Sequence, residues 1–427
     1  MRKVSPVALG LMLALGGVSL GVSAPAVYAK AKAPTAPQAK PSAGFLGPVQ
    51  KLQEAVNKKD IAAAQAALPA AQAAAKTPDD AYFLNSMKLN LSILANDAVM
   101  QGEALKGMLD SGFVPPEQQG QFSAILASRA YDAKDYDTAL SYGEKAAALN
   151  YKPEEVNVVL AQAIWAKGKG NPSEIARGLD YFRKAIDARK AAGQPVDPSW
   201  YQMGVQQASR ANLPQIKDWA TMAYDARPTG DALRTLLRIY QRENPAMTSR
   251  ENLDLLRLMQ YSGGLGVKGD FLEYAEMAFK GGIYGEVKSV IDAGRSARDA
   301  RSNFYLTSVD GNDTYTIASQ KIAADKATLA GAAADAAKAA TGKVAAATAD
   351  AYMGYGDNAK AISLYEMALQ KGGAGVDVAE VNTRLGIAQA RAGNTEAAKA
   401  SFAKVTGGAR GAIAQYWLKW LNRTPAA

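Results

Sequence analysis

The chain contains no cysteine and no histidine. Without cysteine there are no disulfides, thiolate nucleophiles, iron–sulfur clusters or lipid-bearing N-terminal cysteine. Without histidine there is no Ser-His-Asp or Cys-His relay, and no imidazole-ligated zinc, copper or haem. Long uncharged apolar runs are scarce: one covers Val7–Ala24, and no later stretch approaches the roughly 18 residues of a membrane span. What is present is ordinary for a folded chain, with 48% hydrophobic and 21% charged residues. At 427 residues the chain exceeds the roughly 250–300 that one core supports, so several domains or an elongated repeat array are expected.

The N-terminus has the layout of a secretory signal peptide. Met1-Arg2-Lys3 is cationic, Val7–Ala24 is apolar, and Val27-Tyr28-Ala29 places small residues before a cleavage site ahead of Lys30. Residues 1–29 are therefore expected to be removed, placing the protein in the periplasm or outside the cell. Residues 30–44, with Pro34, Pro37 and Pro41, read as an Ala/Pro/Lys linker with too little apolar area to form a core. The 49 Lys+Arg outnumber the 40 Asp+Glu, a formal net charge of +9. That balance suits peripheral contact with a cell wall or an anionic membrane surface, while no basic run of nucleic-acid type occurs.

The informative signal is internal repetition. Trp200, Met203, Gly204, Gln207, Ile216, Ala220, Ala223 and Pro228 follow a spacing that recurs in Leu385, Gly386, Gln389, Gly393, Ala398 and Phe402. It recurs again in Tyr352, Gly356, Ala361, Tyr365 and Ala368, and in Leu126, Tyr136, Ala139 and Ala146. Small residues at fixed places let neighbouring helices approach to the short end of about 8–10 Å, large ones fill the grooves, and Gly356-Asp357, Gly393-Asn394 and Lys134-Asp135 reverse the chain. Fainter copies begin near Phe45, around Tyr82 and Ala98, and at Gly282-Ile283-Tyr284.

This pattern resembles the tetratricopeptide repeat, a helix–turn–helix unit of about 34 residues. The resemblance implies an all-α fold: a TPR-like superhelical array of about ten helix–turn–helix pairs with a concave groove. It divides the chain into an N-terminal array (45–300), an irregular loop with an Ala-rich helical segment (301–345), and C-terminal repeats with a capping helix (346–427). In such repeats the groove is lined by the first helix of each pair. Carried onto this sequence, those positions are Tyr131, Tyr201, Val205, Asp350, Met353, Thr383, Ile387 and Arg391, with Glu276, Phe279 and Lys280 from a less regular unit. Arg391→Glu is expected to weaken partner capture while leaving stability nearly unchanged.

No other motif carries chemistry. Gly264–Gly269 matches a dinucleotide-loop pattern but follows a helical stretch where a strand is required, so no cofactor is expected. Asp310-Gly311-Asn312-Asp313 lacks the distal Glu of a calcium loop and reads as a turn. Asp79-Asp80 and Glu154-Glu155 read as helix caps. The expected protein is thus a scaffold and not an enzyme, without catalytic, cofactor or metal residues. It would bind peptide segments of cell-envelope proteins in its groove during assembly of an envelope or secretion complex. Peptidoglycan or polysaccharide binding, or service in a cell-wall-processing system of the lytic transglycosylase kind, are the alternatives.

Overall fold

The computed structural model describes residues 39–296 and 308–424. The signal peptide expected over 1–29 and most of the linker lie outside the described residues. Among the described residues there are 20 helices and no strand, so the protein is all-α, with successive helices packed against one another.

One turn recurs. Lys59, Asn96 and Lys134 adopt left-handed φ values of 56°, 51° and 63°, and each is followed by an aspartate that caps the next helix. Asp60 accepts from the backbone of Ala63 at 2.9 Å, Asp97 from Val99 and Met100, and Asp135 from Thr138. Gly356 and Gly393 occupy the same place, with φ of 84° and 83°, where the left-handed conformation carries no Cβ penalty. Non-glycine residues accept that strain in three of the turns because the following cap fixes them.

The chain divides into two compact units. The first runs to Asp197 and includes Gln206–Leu213; the second comprises Pro198–Val205 and everything from Pro214. The boundary therefore falls inside α9 (Pro198–Arg210).

The first unit contains α1 (Ala43–Asn57), α2 (Ile61–Ala74), α3 (Pro78–Leu94), α4 (Ala98–Ser111), α5 (Pro116–Asp132), α6 (Tyr136–Ala148), α7 (Pro153–Gly168) and α8 (Pro172–Ala191). Its core is built in successive clusters, with Phe45, Leu52 and Leu91 in one and Leu105, Phe122 and Leu126 in the next. Asp80, a predicted cap, closes a capping box at the start of α3. It also holds the preceding chain, accepting from the Ser42 N–H at 2.8 Å and from the Ser42 hydroxyl at 2.9 Å. Burial pushes its carboxyl up, but the N–H donors of Ser42 and Lys76 prevail and hold it at about 2.

The second unit contains α10 (Ile216–Ala226), α11 (Gly230–Glu243), α12 (Ser249–Tyr261), α13 (Lys268–Lys280), α14 (Tyr284–Ser296) and α15 (Asn312–Lys338). It continues with α16 (Lys343–Gly354), α17 (Asn358–Lys371), α18 (Val378–Arg391), α19 (Thr395–Ala403) and α20 (Gly408–Leu421). Here the helices do more than stack on sequence neighbours. Helix α14 packs on α16, α16 on α18 and α18 on α20, while α12 touches both α18 and α20. This row closes back on its beginning, and the inward faces of α12, α14, α16, α18 and α20 meet one another. The Ala-rich α15 belongs to the same body, packed against α13, α14, α16 and α17 with Ala318, Leu329 and Ala336 buried. Close approach depends on the predicted small residues: a Cβ on Gly386 would lie 2.8 Å from the Phe402 ring, and Ala361, Ala368 and Ala398 are wholly buried.

Candidate functional site

Where these five helices meet, the second unit buries charge. Asp254 and Arg257 of α12 are wholly enclosed, as are, nearly, Glu286 of α14, Arg384 of α18 and Arg410 of α20. Isolated charges would be costly there, by several kcal/mol each, so pairing is required. Asp254 supplies the hub: Arg257 donates to it at 2.7 Å, Arg384 at 3.2 Å and Arg410 at 2.7 Å. Glu286 accepts from Arg257 at 2.9 Å and Arg391 at 2.8 Å. Arg384 also reaches Asp350 of α16 at 2.5 Å and pairs with Glu380, and Arg410 donates to Glu380 at 3.0 Å. The carboxylates of Asp254, Glu286, Asp350 and Glu380 thus face the guanidiniums of Arg257, Arg384, Arg391 and Arg410, and the exposed Arg250 reaches Glu380 from outside at 2.9 Å.

The electrostatics follow from that pairing. Burial pushes the Asp254 carboxyl up, but Arg384, Arg257 and Arg410 outweigh it and hold it below the usual carboxylate range. In Glu286 burial is likewise overcome, by Arg257 and Arg391. Burial, reinforced by Glu286, pushes the Tyr274 hydroxyl up to about 12, and burial with Asp350 raises that of Tyr365 well above its ordinary value. Tyr365 donates to Asp350 at 2.6 Å. These groups keep one protonation state across neutral pH. They fix helices in place and have no proton to exchange near pH 7.

At the edge of the network lies a cavity of about 620 Å³, within the range of small-ligand pockets. Its wall includes Gln260, Glu286, Lys326, Met353, Tyr355 and Arg391, so α12, α14, α15, α16 and α18 all contribute. The Arg391 guanidinium is oriented by Glu286, by Gln260 at 3.3 Å and by the Tyr274 hydroxyl at 3.1 Å. Tyr355 donates to Asp325 at 2.5 Å. The Asn358 side-chain oxygen is shielded from solvent and has no hydrogen-bond partner. Among the described residues no group of three or more metal-ligating side chains is placed to hold an ion, and no helix is long and apolar enough to cross a membrane.

The residues read from the sequence as groove-lining are distributed unevenly. Met353 and Arg391 meet in the cavity wall. Asp350 joins the buried network, and Thr383 and Ile387 are wholly buried, their inward faces covered by the protein's own helices. Tyr201 and Val205 are also buried, at 4% and 9% exposure. Tyr131 is half-buried in the first unit with its ring 6.0 Å from Tyr136. Glu276 and Lys280 are exposed and paired to each other at 2.6 Å, and Phe279 packs edge-on against Tyr284 at 6.3 Å. Sequence reasoning missed Asp254, Arg257, Glu286, Arg384 and Arg410. The signal available in the sequence is slight: Asp254 and Arg257 stand among Leu253, Leu255, Leu256, Leu258 and Met259, a run dense enough in large apolar residues to lie inside a protein and carry its charges with it.

No protein-family model matches the chain, and no curated protein matches it.

Proposed function

We propose that the protein is a non-enzymatic scaffold of tetratricopeptide-like superhelical build, exported to the periplasm, that binds extended peptide segments of envelope proteins. The repeat reading is supported by small residues at close approaches: Gly386 against Phe402, Gly204 against Trp219, and buried Ala139, Ala146, Ala220 and Ala223. The signal-like residues 1–29 support export.

One observation carries the binding reading. The cavity beside the charge network brings together Met353 and Arg391 with an aromatic ring, a lysine and an amide whose oxygen lacks a donor. A thioether and aromatic wall suits an apolar side chain of an extended peptide, and Lys326 suits one of its carbonyl or carboxylate oxygens.

The test is fluorescence anisotropy with short labelled peptides drawn from unstructured regions of envelope proteins. Ser289 is exposed at the cavity mouth, so Ser289→Trp should fill it without disturbing the core, and it should abolish binding. Binding that survives Ser289→Trp places the ligand elsewhere. Release of soluble muropeptides from sacculi by the purified protein would establish an enzyme and end the scaffold reading.

A further inference from the structure

Running along the seam of α14 and α15 is a row of cations seated on tyrosine rings. Lys288 and Arg295 both lie over Tyr315, at 5.1 and 4.4 Å from its centroid. Lys321 lies 5.4 Å from the Tyr284 centroid, and Lys326 lies 4.9 Å from that of Tyr355. From Tyr315 to Lys326 the row covers roughly 16 Å of α15 at 1.5 Å per residue.

A cation held by a ring differs from one held by a carboxylate. The ring's quadrupole orients the ammonium but leaves its charge uncancelled. Of these cations only Lys288 pairs with a described carboxylate, Asp292 at 2.6 Å. Asp325, on α15 itself, is engaged by the Tyr355 hydroxyl. The Arg295 Nε is buried with no hydrogen-bond partner, and the Lys321 and Lys326 side chains stand exposed. The seam therefore presents a line of oriented positive charge, spaced by phenol rings, on a chain whose net charge is +9.

We infer that this seam binds an anionic polysaccharide, its acid groups meeting Arg295, Lys321 and Lys326 and its sugar rings lying against the edges of Tyr284, Tyr315 and Tyr355. Each sugar offers both an apolar ring face and hydroxyls, the two features a tyrosine can meet at once. A membrane surface is the poorer fit, because Val309 and Ile317 are the two large aliphatic side chains exposed along the described part of this seam, fewer than membrane insertion needs. An acidic peptide would satisfy the cations but make little use of regularly spaced rings.

The experiment measures binding of the full-length mature protein to labelled oligogalacturonate, with dextran, polyglutamate and phosphatidylglycerol vesicles as comparisons. Oligogalacturonate should bind, and dextran should not. Lys321→Gln/Lys326→Gln, at exposed positions that leave the fold intact, should weaken binding by about tenfold, at up to fivefold per surface charge. Tyr315→Leu should weaken oligogalacturonate without altering any residual attraction to polyglutamate. Lys326 and Tyr355 also line the peptide cavity, so the residue that separates the two sites is Lys321, which lies outside it: Lys321→Gln alone should weaken oligogalacturonate binding and leave peptide binding unchanged. The inference is overturned if the double lysine variant binds oligogalacturonate as the unaltered protein does. It is equally overturned if polyglutamate or the vesicles bind as tightly as the glycan.

Discussion

Asp254→Asn isolates the contribution of charge to the second unit. The two side chains are nearly the same size, so packing around α12 is retained while the carboxylate that three guanidiniums share is lost. Removing one partner from a buried ion pair costs about 3–5 kcal/mol, because an uncompensated charge stays behind. Each arginine here keeps a second carboxylate: Arg257 keeps Glu286 at 2.9 Å, Arg384 keeps Asp350 at 2.5 Å and Arg410 keeps Glu380 at 3.0 Å. The expected loss is therefore toward the lower end, about 3 kcal/mol, a large share of a typical 5–15 kcal/mol. Amide hydrogen exchange reads it locally: protection in α12, α18 and α20 should fall roughly a hundredfold, and that in α1–α8 should not change. Adding Arg410→Gln removes the surplus positive charge, so the double variant should cost less than the two single losses combined. A fall of less than about fivefold in α12, or an equal fall in α1–α8, would refute the reasoning.

Three further outcomes follow from the same contacts. Because Asp254 and Glu286 titrate below their unfolded values, their stabilisation is complete above the unfolded carboxylate range, about 4, and is lost as pH falls through the lower folded values; amide hydrogen exchange along an acid titration should show protection in α12, α14 and α20 falling in that window. Arg391→Glu, which the sequence alone suggested would spare stability, places a second carboxylate beside Glu286 in a pocket where the arginine side chain is 17% exposed, and should lower stability by several kcal/mol in a thermal melt. Gly386→Val should cost about 1–3 kcal/mol by driving α18 away from Phe402, measured by urea unfolding.

The elements themselves were legible in the sequence because their determinants are local. Gly393-Asn394 announces a turn by chemistry that involves a few neighbouring residues, and Ala361 and Ala398 mark close approaches through their small size. The closure of the second unit was not legible. Arg384 pairs with Asp254, 130 positions away, and Arg410 with the same residue, 156 positions away. Nothing in the local sequence of α18 or α20 distinguishes such an arginine from one that faces water. The placement of Thr383 and Ile387 shows the same limit. Periodicity identifies the side of the helix they occupy, but what stands opposite them is decided by helices far along the chain.

The hub at Asp254 also bears on the order in which the molecule can assemble. Helices α1–α8 meet mainly their sequence neighbours, so each hairpin can settle as soon as its own residues are available. Helix α12 has no such freedom: its aspartate awaits an arginine on α20, and until that helix arrives the intervening segments hold apolar surface and unmatched charge. The charge network at the centre of the second unit is therefore complete only once the last helix of the chain has packed into it.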